Sequence, residues 1–344
     1  MFRDNTSKYL IIYLLFLCSL AVLGYLITPD SSSFANNQHL EISMKSPGYS
    51  CYFYSEEEEP AANILKTLVF GKREYRSELA ISSYKIQNDS IHLLVIDPLL
   101  ANNKEILSFL VQDKAQTFIT EHIARKVFWL GTDQFGRDVL SRLIIGLRIS
   151  LSVGFISVLI SLLIGVSLGA IAGYYGRWVD QLVMWFINVI WSLPSLLLII
   201  AISFALGKGF WQMFIAIGLS MWVEVARVVR GQVMSIKQNE YIEAAHALAY
   251  SNTRIITKHI LPNIWGPVIV ISAANFSTAI LVEAGLSFLG LGVTPPIPSL
   301  GGMIRESYIG IFFGYPWLSF FPGMLIVSIV FSFMMIGRVL KRYI

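Results

Sequence analysis

Glu240-Tyr241-Ile242-Glu243-Ala244-Ala245-His246-Ala247-Leu248-Ala249 lies between two long apolar runs, in a stretch that also carries Arg227, Arg230, Lys237, Arg254 and Lys258. Its composition suits a short helix: Asn239 can cap it, and Glu240 and Glu243 sit near its positive end. Ala244, Ala245, Ala247 and Ala249 carry little bulk, so a second protein surface can approach closely. Ser251 can cap a following helix, and Pro262 in Ile260-Leu261-Pro262-Asn263 marks the passage into the next apolar run. These residues suit mechanical contact and not bond-making. His246 and His259 make no metal-ligand pair with a carboxylate on a membrane helix, and both read as solvated or interfacial.

The patterns of common chemistry are missing. No Gly-x-x-x-x-Gly-Lys-Ser/Thr phosphate loop occurs, and Gly207-Lys208-Gly209 is too short to be one, so this chain is expected not to hydrolyse ATP. No His-Glu-x-x-His zinc site occurs either. Gly165-Val166-Ser167-Leu168-Gly169 fits a hydrolase pattern, but that pattern needs a strand-turn-helix elbow to expose its serine. Here it lies inside an apolar run, with no histidine near it in sequence, and reads as helix packing. Glu283 stands at the end of an apolar run, where a carboxylate is costly. It is open to structural pairing or capping and to a place on a translocation path.

The elements that position these residues are membrane helices. The chain has 344 residues, 55% hydrophobic and only 14% charged, against about 25% charged in soluble domains. Its 26 basic and 22 acidic residues leave a formal charge of +4, too weak a bias to indicate nucleic acid. Cys18 lies in the first apolar run and Cys51 outside it, so no disulfide between them is expected. Six apolar runs cover roughly 9–27, 147–174, 182–206, 210–226, 263–284 and 316–336, each near the ~20 residues that cross a bilayer core. Backbone groups inside the hydrocarbon must be bonded within their own segment, so helices are expected. The first run is longer than a signal peptide's and has no small-residue cleavage site, so it is expected to be retained.

Arg3 and Lys8 precede the first run, the five basic residues above lie between the fourth and fifth, and Arg338, Lys341 and Arg342 follow the sixth. The positive-inside rule puts all three places, and both termini, in the cytoplasm. The segment 28–129 then lies outside. Its Glu56-Glu57-Glu58-Glu59 run reads as a solvated face. Residues 79–86 and 91–96, separated by Gln87-Asn88-Asp89-Ser90, read as two strands joined by a turn in a small mixed α/β domain. Three parts follow: an N-terminal helix at 1–27, an extracytoplasmic domain at 28–129, and a core at 130–344 with five spans and a cytoplasmic loop at 227–262.

Before the second run, Gly131 and Gly136 permit a tight turn, and Asp133, Arg137 and Asp138 can pair or cap. Gly165, Gly169 and Gly173 recur every fourth residue, leaving a groove for a close neighbour helix. That neighbour is either in this chain or in a partner.

Gly131-Thr132-Asp133-x-x-Gly136-Arg137-Asp138-Val139-Leu140-Ser141-Arg142 resembles the pre-helix signature of permeases in dipeptide, oligopeptide and nickel ATP-binding-cassette importers, and specifically of the second of their two permease subunits. Gly173-Tyr174-Tyr175-Gly176, Val179-Asp180, Ser192-Leu193-Pro194 and Ala226-Arg227-x-x-Arg230-Gly231-Gln232 are similar to further strings of that family. So are Glu283-Ala284-Gly285-Leu286-Ser287-Phe288-Leu289-Gly290-Leu291-Gly292 and Pro295-Pro296-x-Pro298-Ser299. The resemblance covers 130 to the C-terminus and not 28–129. Two positions depart from the family: Ala249 replaces a usual glycine, which predicts a longer helix because alanine favours helix, and Leu300 replaces a usual tryptophan.

The resemblance implies an all-α membrane protein of six transmembrane helices, like type I importer permeases, with the α/β insertion after helix one. It implies that Glu240, Glu243, Ala244, Ala245, Ala249, Leu261 and Pro262 belong to the loop that couples to an ATPase. It further implies a second permease subunit, one or two ATP-binding-cassette ATPases, an extracytoplasmic solute-binding protein, a bacterial inner membrane and peptides or a similar small solute. ATP and magnesium would reside on the ATPase, and no cofactor or metal on this chain. An ion-coupled secondary transporter is the alternative of another class, and would show repeats and broken midplane helices.

Overall fold

The computed structural model describes residues 5–55, 64–71, 78–87, 90–96, 106–110, 115–207 and 209–342. The glutamate run at 56–59 and the hairpin tip at 88–89 lie outside the described residues. In chain order come helix α1 (Asn5–Ile27), strand β1 (Tyr49–Ser55), α2 (Ile64–Phe70), β2 (Glu78–Gln87), β3 (Ser90–Val95), β4 (Ile106–Leu110), α3 (Ala115–His122) and β5 (Ile123–Phe128). Then follow α4 (Val139–Tyr175), α5 (Arg177–Trp191), α6 (Ser195–Leu206), α7 (Phe210–Ile236), α8 (Glu240–Ala247), α9 (Asn252–Ile255), α10 (Leu261–Phe288), α11 (Leu300–Ser307) and α12 (Trp317–Lys341).

Among the described residues, five helical runs are long and apolar enough to cross a membrane: α1, α4, α7, the continuous Asn252–Phe288 and α12. The third apolar run, expected as one span, is two helices bent by 93°; counted together they make the sixth. The break falls at Ser192-Leu193-Pro194, where Pro194 has no N–H to donate and disfavours helical backbone at the residue before it. α4 starts eight residues before its apolar run because Asp138 caps it, accepting the Ser141 amide at 2.9 Å. A π turn at Ile256–Ile260 directly precedes Pro262, whose missing N–H interrupts the regular helical ladder.

The chain divides into two compact units. One comprises 149–294 with 1–17 and 324–344. Its centre is α7, which buries residues such as Phe214, Ile217, Val225 and Val229. Gly165, Gly169 and Gly173 of α4 face α7: a Cβ on Gly169 would stand 2.5 Å from the Ala226 carbonyl oxygen, and one on Gly173 2.8 Å from that of Arg230. The small-residue groove therefore serves packing within this chain. Ile187 of α5 is buried beside Trp222, Val223 and Ala226 of α7. Large side chains such as Phe155, Leu159, Leu163, Trp178 and Trp185 point outward from this unit, as spans that meet lipid or neighbouring spans require.

The other unit comprises 18–148 and 295–323. It holds an antiparallel sheet of order β4-β3-β2-β1-β5. The expected strand pair is present, with Gln87 opposite Ser90, and β3 alternates half-buried with buried residues, Ile91, Leu93 and Val95 pointing inward. Hydrogen bonds join 39–45 to 131–137 across the composition boundary at 129/130: the His39 amide donates to the Phe135 carbonyl at 3.0 Å, and the Met44 amide to that of Asp133 at 2.9 Å. Glu78 lies between His39, 3.3 Å away, and Lys126, 2.6 Å away. Burial pushes the Glu78 carboxyl up, but His39 and Lys126 together hold it below the ordinary carboxylate value. Cys18 and Cys51 are free thiols.

Candidate functional site

The loop between α7 and α10 builds one structured element. On α8, Ile242 and Ala245 are buried, three residues apart on one face. They join a cluster with Ala170 and Tyr174 of α4, Val225, Val229 and Val233 of α7, Ile255 of α9, and Ile264 and Val268 of α10. Complete burial of Ile242 alone is worth roughly 1.5–3 kcal/mol. Polar bonds add to this: the Tyr174 hydroxyl donates to Asn252 Oδ1 at 2.8 Å, and Lys237 Nζ to the Tyr174 carbonyl at 2.6 Å. α8 is therefore anchored to the same core as three spanning helices.

The opposite face of α8 is exposed. Glu240, Tyr241, Glu243, Ala244, His246, Ala247 and Leu248 are exposed. Of the residues singled out in sequence, Glu240, Glu243 and Ala244 face outward, whereas Ala245 faces the core. Leu261 is half-buried against that core, and Pro262 is exposed at the second position of α10.

The ends of α8 differ from expectation in two ways. Asn239 makes no side-chain cap; its backbone carbonyl accepts the Ile242 amide at 2.9 Å. Ser251 does cap α9, accepting from the Arg254 amide. Ala249 does not prolong the helix. It takes φ +56°, the left-handed region. The Tyr250 amide donates to the Ala245 carbonyl at 3.2 Å, and the Ala249 amide to that of His246 at 2.9 Å. This is a Schellman closure, with alanine standing where glycine is usual.

Two acidic groups of the first unit are paired. Asp180 of α5 receives both Nε and Nη2 of Arg230 of α7, the latter at 2.6 Å. Both residues stand in quoted motifs, yet 50 positions separate them, and no local spacing announces the pair. Glu283 is fully buried in α10. Its Oε2 accepts from the Ser150 hydroxyl at 2.9 Å and its Oε1 from the Ser287 hydroxyl at 2.8 Å. The Ser287 bond is a one-turn contact that spacing could have predicted, whereas Ser150 comes from a different helix.

In the second unit the 131–138 motif is a folded loop. Gly131 and Gly136 have φ of +78° and +71°, and their Cα atoms press against the backbone of Lys45 and His39. Thr132 is buried and donates its hydroxyl to the Ile42 carbonyl. Asp133 accepts the Arg137 amide at 3.0 Å and its Nε at 2.6 Å. Burial pushes the Asp138 carboxyl up, opposed by the hydroxyl and amide of Ser141. Sequence reasoning missed Glu306 of α11, which accepts from Arg137 Nη2 at 2.6 Å and Arg142 Nη2 at 3.1 Å. Leu300, in place of the expected tryptophan, is fully buried close to Gly146.

The arrangement offers a docking face on a core-anchored helix and buried acids held by internal partners. The model of the family described as "Binding-protein-dependent transport system inner membrane component" matches residues 165–344. The dipeptide transport system permease protein DppC of Alkalihalophilus pseudofirmus is 40% identical over 266 residues, 77% of this chain and 85% of that protein. That overlap is longer than 130–344 can hold, so the similarity reaches upstream of Leu130. The oligopeptide transport system permease protein OppC of Bacillus subtilis is 39% identical over 63% of this chain and 70% of its own length. The glutathione transport system permease protein GsiD of Pectobacterium atrosepticum is 37% identical over 62% and 70%. Among solved structures, an inward-facing form of the MetNI methionine ABC transporter superposes with a TM-score of 0.48 at 20% identity, covering 59% of this chain and 95% of that one. With a family match over more than half its length and a relative at 40% identity over 77% of it, the chain belongs to the binding-protein-dependent transport system inner membrane components, and is a multi-pass membrane permease.

Proposed function

We propose that this chain is one of two permease subunits of an ATP-driven importer, and that its solute is a short peptide. The names of its relatives, a dipeptide and an oligopeptide permease among them, support the solute class. The observation that carries the coupling role is α8, one face packed into the core shared by α4, α7 and α10 and the other exposed. An ATPase that grips the exposed face moves three spanning helices with it. ATP and magnesium reside on the ATPase; binding closes the ATPase pair, α8 follows, and the spans switch the side they face. A solute-binding protein delivers the peptide from outside, and a second permease supplies the other half of the path. The basic residues around α8 and after α12 support a cytoplasmic position for both.

The test uses Glu243→Lys and Ala244→Asp. Both positions are exposed, so the chain folds and inserts. Each variant sets an unmatched charge on a close docking surface. Co-purification of the ATPase and peptide uptake both fall to background. Normal values for both in an inserted variant would remove the coupling role.

A further inference from the structure

The second half of α7 carries three charged residues, Glu224, Arg227 and Arg230. Two of them have partners. Arg230 is bound to Asp180, and the Arg227 guanidinium lies over the Trp191 ring, 3.6 Å from its centroid. Glu224 and Arg227 stand one helical turn apart, a spacing at which opposite charges can pair. Yet Arg227 is engaged by Trp191, and among the described residues Glu224 makes no ion pair or hydrogen bond. Its carboxylate is exposed, the one exposed position of α7 between Ile215 and Gly231.

The depth of this carboxylate decides what can face it. From Phe210 to Glu224 the helix runs roughly 20 Å, within a span that crosses about 30 Å of hydrocarbon. Lipid rejects a charge there, so such residues face a water-filled path or another protein group. The outward faces of α4 and α12 differ: they show Phe155, Leu159 and Leu163, and Met324, Val327 and Phe331, which lipid accepts. We infer that Glu224 lines the solute path and holds the N-terminal ammonium of a peptide in passage. The ammonium is the one cation that every unblocked peptide carries whatever its side chains, and it donates to a carboxylate in a charge-assisted hydrogen bond. A carboxylate left open in the path therefore grips peptides without reading their sequence. The inference rests on the peptide reading above, and adds the residue of this chain that meets the solute.

The test is thiol protection in the assembled transporter in nanodiscs, where both faces are open to reagent. Ser220 stands one turn before Glu224 on α7 and is half-buried. Ser220→Cys is placed in a chain whose Cys18 and Cys51 are replaced by serine, and the anionic reagent sulfonatoethyl methanethiosulfonate is followed by the mass of this chain. The thiol reacts, trialanine slows it about fivefold, and N-acetyl-trialanine, which has no ammonium, leaves the rate unchanged. Adding Glu224→Gln, an exposed substitution that leaves the fold intact, removes the protection. An unreactive thiol, equal protection by both peptides, or protection that survives Glu224→Gln would each overturn the site. Release of the second permease by Glu224→Gln would assign the carboxylate to a contact between subunits and overturn it too. Protection in an assembly that imports no peptide supports the site while removing the peptide solute. Intact peptide uptake without protection removes the site alone.

Discussion

Replacing Ala249 with glycine should strengthen the C-terminal end of α8. Ala249 holds φ +56°, a conformation in which a Cβ crowds the following carbonyl at a cost of roughly 1–2 kcal/mol. Glycine removes that cost but brings about 0.4–1 kcal/mol of extra freedom in the unfolded chain. The net gain is about 0.5–1 kcal/mol. Because Ala249 is exposed, no packing is lost to offset it.

The gain is local, so the assay must be local. The two closing bonds are those of the Ala249 and Tyr250 amides to His246 and Ala245. Their hydrogen exchange, corrected for intrinsic rates, should slow about two- to fivefold in Ala249→Gly, since about 1.4 kcal/mol is a factor of ten. Ala249→Val should speed it, because a β-branched residue tolerates positive φ least. The ATPase coupling proposed for Glu240, Glu243 and Ala244 should persist in the glycine variant. Exchange that quickens in Ala249→Gly would refute the reasoning. It would show α8 continuing through 249 as a regular helix, where glycine is worse than alanine by about 1 kcal/mol.

Gly169→Ala should lower stability by about 1–3 kcal/mol through overpacking against Ala226 and Val229, whereas Gly231→Ala, with open space around it, should be neutral or stabilising; thermal unfolding of both purified variants distinguishes the sites, and equal effects would deny the close α4–α7 contact. Glu283→Ala should cost about 2–4 kcal/mol from lost hydrogen bonds and a cavity, and Glu283→Gln less, with peptide uptake per folded molecule retained in the glutamine variant; a folded Glu283→Gln that has lost uptake would put the carboxylate on the translocation path. Glu78 is held below its ordinary value by His39 and Lys126 against the effect of burial, so its contribution is full above that ordinary value of 4.5 and is lost as pH falls through the lower folded value. Exchange protection in β1 and β2 should therefore decline in acid, and Glu78→Gln should flatten that decline; identical pH profiles would discount the pair.

The spans were legible because hydrocarbon permits little else: a run of about twenty apolar residues must bond its own backbone. The β2–β3 pair was legible because two β-prone runs flank the turn residues Asn88 and Asp89, although Leu94 breaks the alternation that would have named the buried face. The break in the third run was half legible. Pro194 stood in a quoted motif, but its effect depends on whether neighbours re-bond the freed carbonyls, and that is a property of packing. Ala249 shows local propensity losing to a tertiary demand. Alanine alone favours continuing the helix, but Ile242 and Ala245 are committed to the core, and Ile255, on the far side of the loop, is fully buried in the same core. A chain that must return within those few residues has to reverse after Leu248, and the residue at the reversal takes the left-handed backbone whatever its own preference.

The same distinction separates the charged residues. Asp138 with Ser141 and Glu283 with Ser287 lie three or four positions apart, and helical spacing alone proposes them. Asp180 with Arg230 and Arg137 with Glu306 are 50 and 169 positions apart, and no local spacing announces either pair. Yet the distant pairs tie separate elements together, Asp180 joining α5 to α7 and Glu306 joining α11 to the loop before α4. The local pairs finish single helices, so their loss frays one end. Loss of a distant pair frees one element from another, and loss of Asp180 also leaves the Arg230 guanidinium without its carboxylate, which is the more expensive event. Charges that looked least informative along the chain are therefore those on which the relative placement of its elements within each unit most depends.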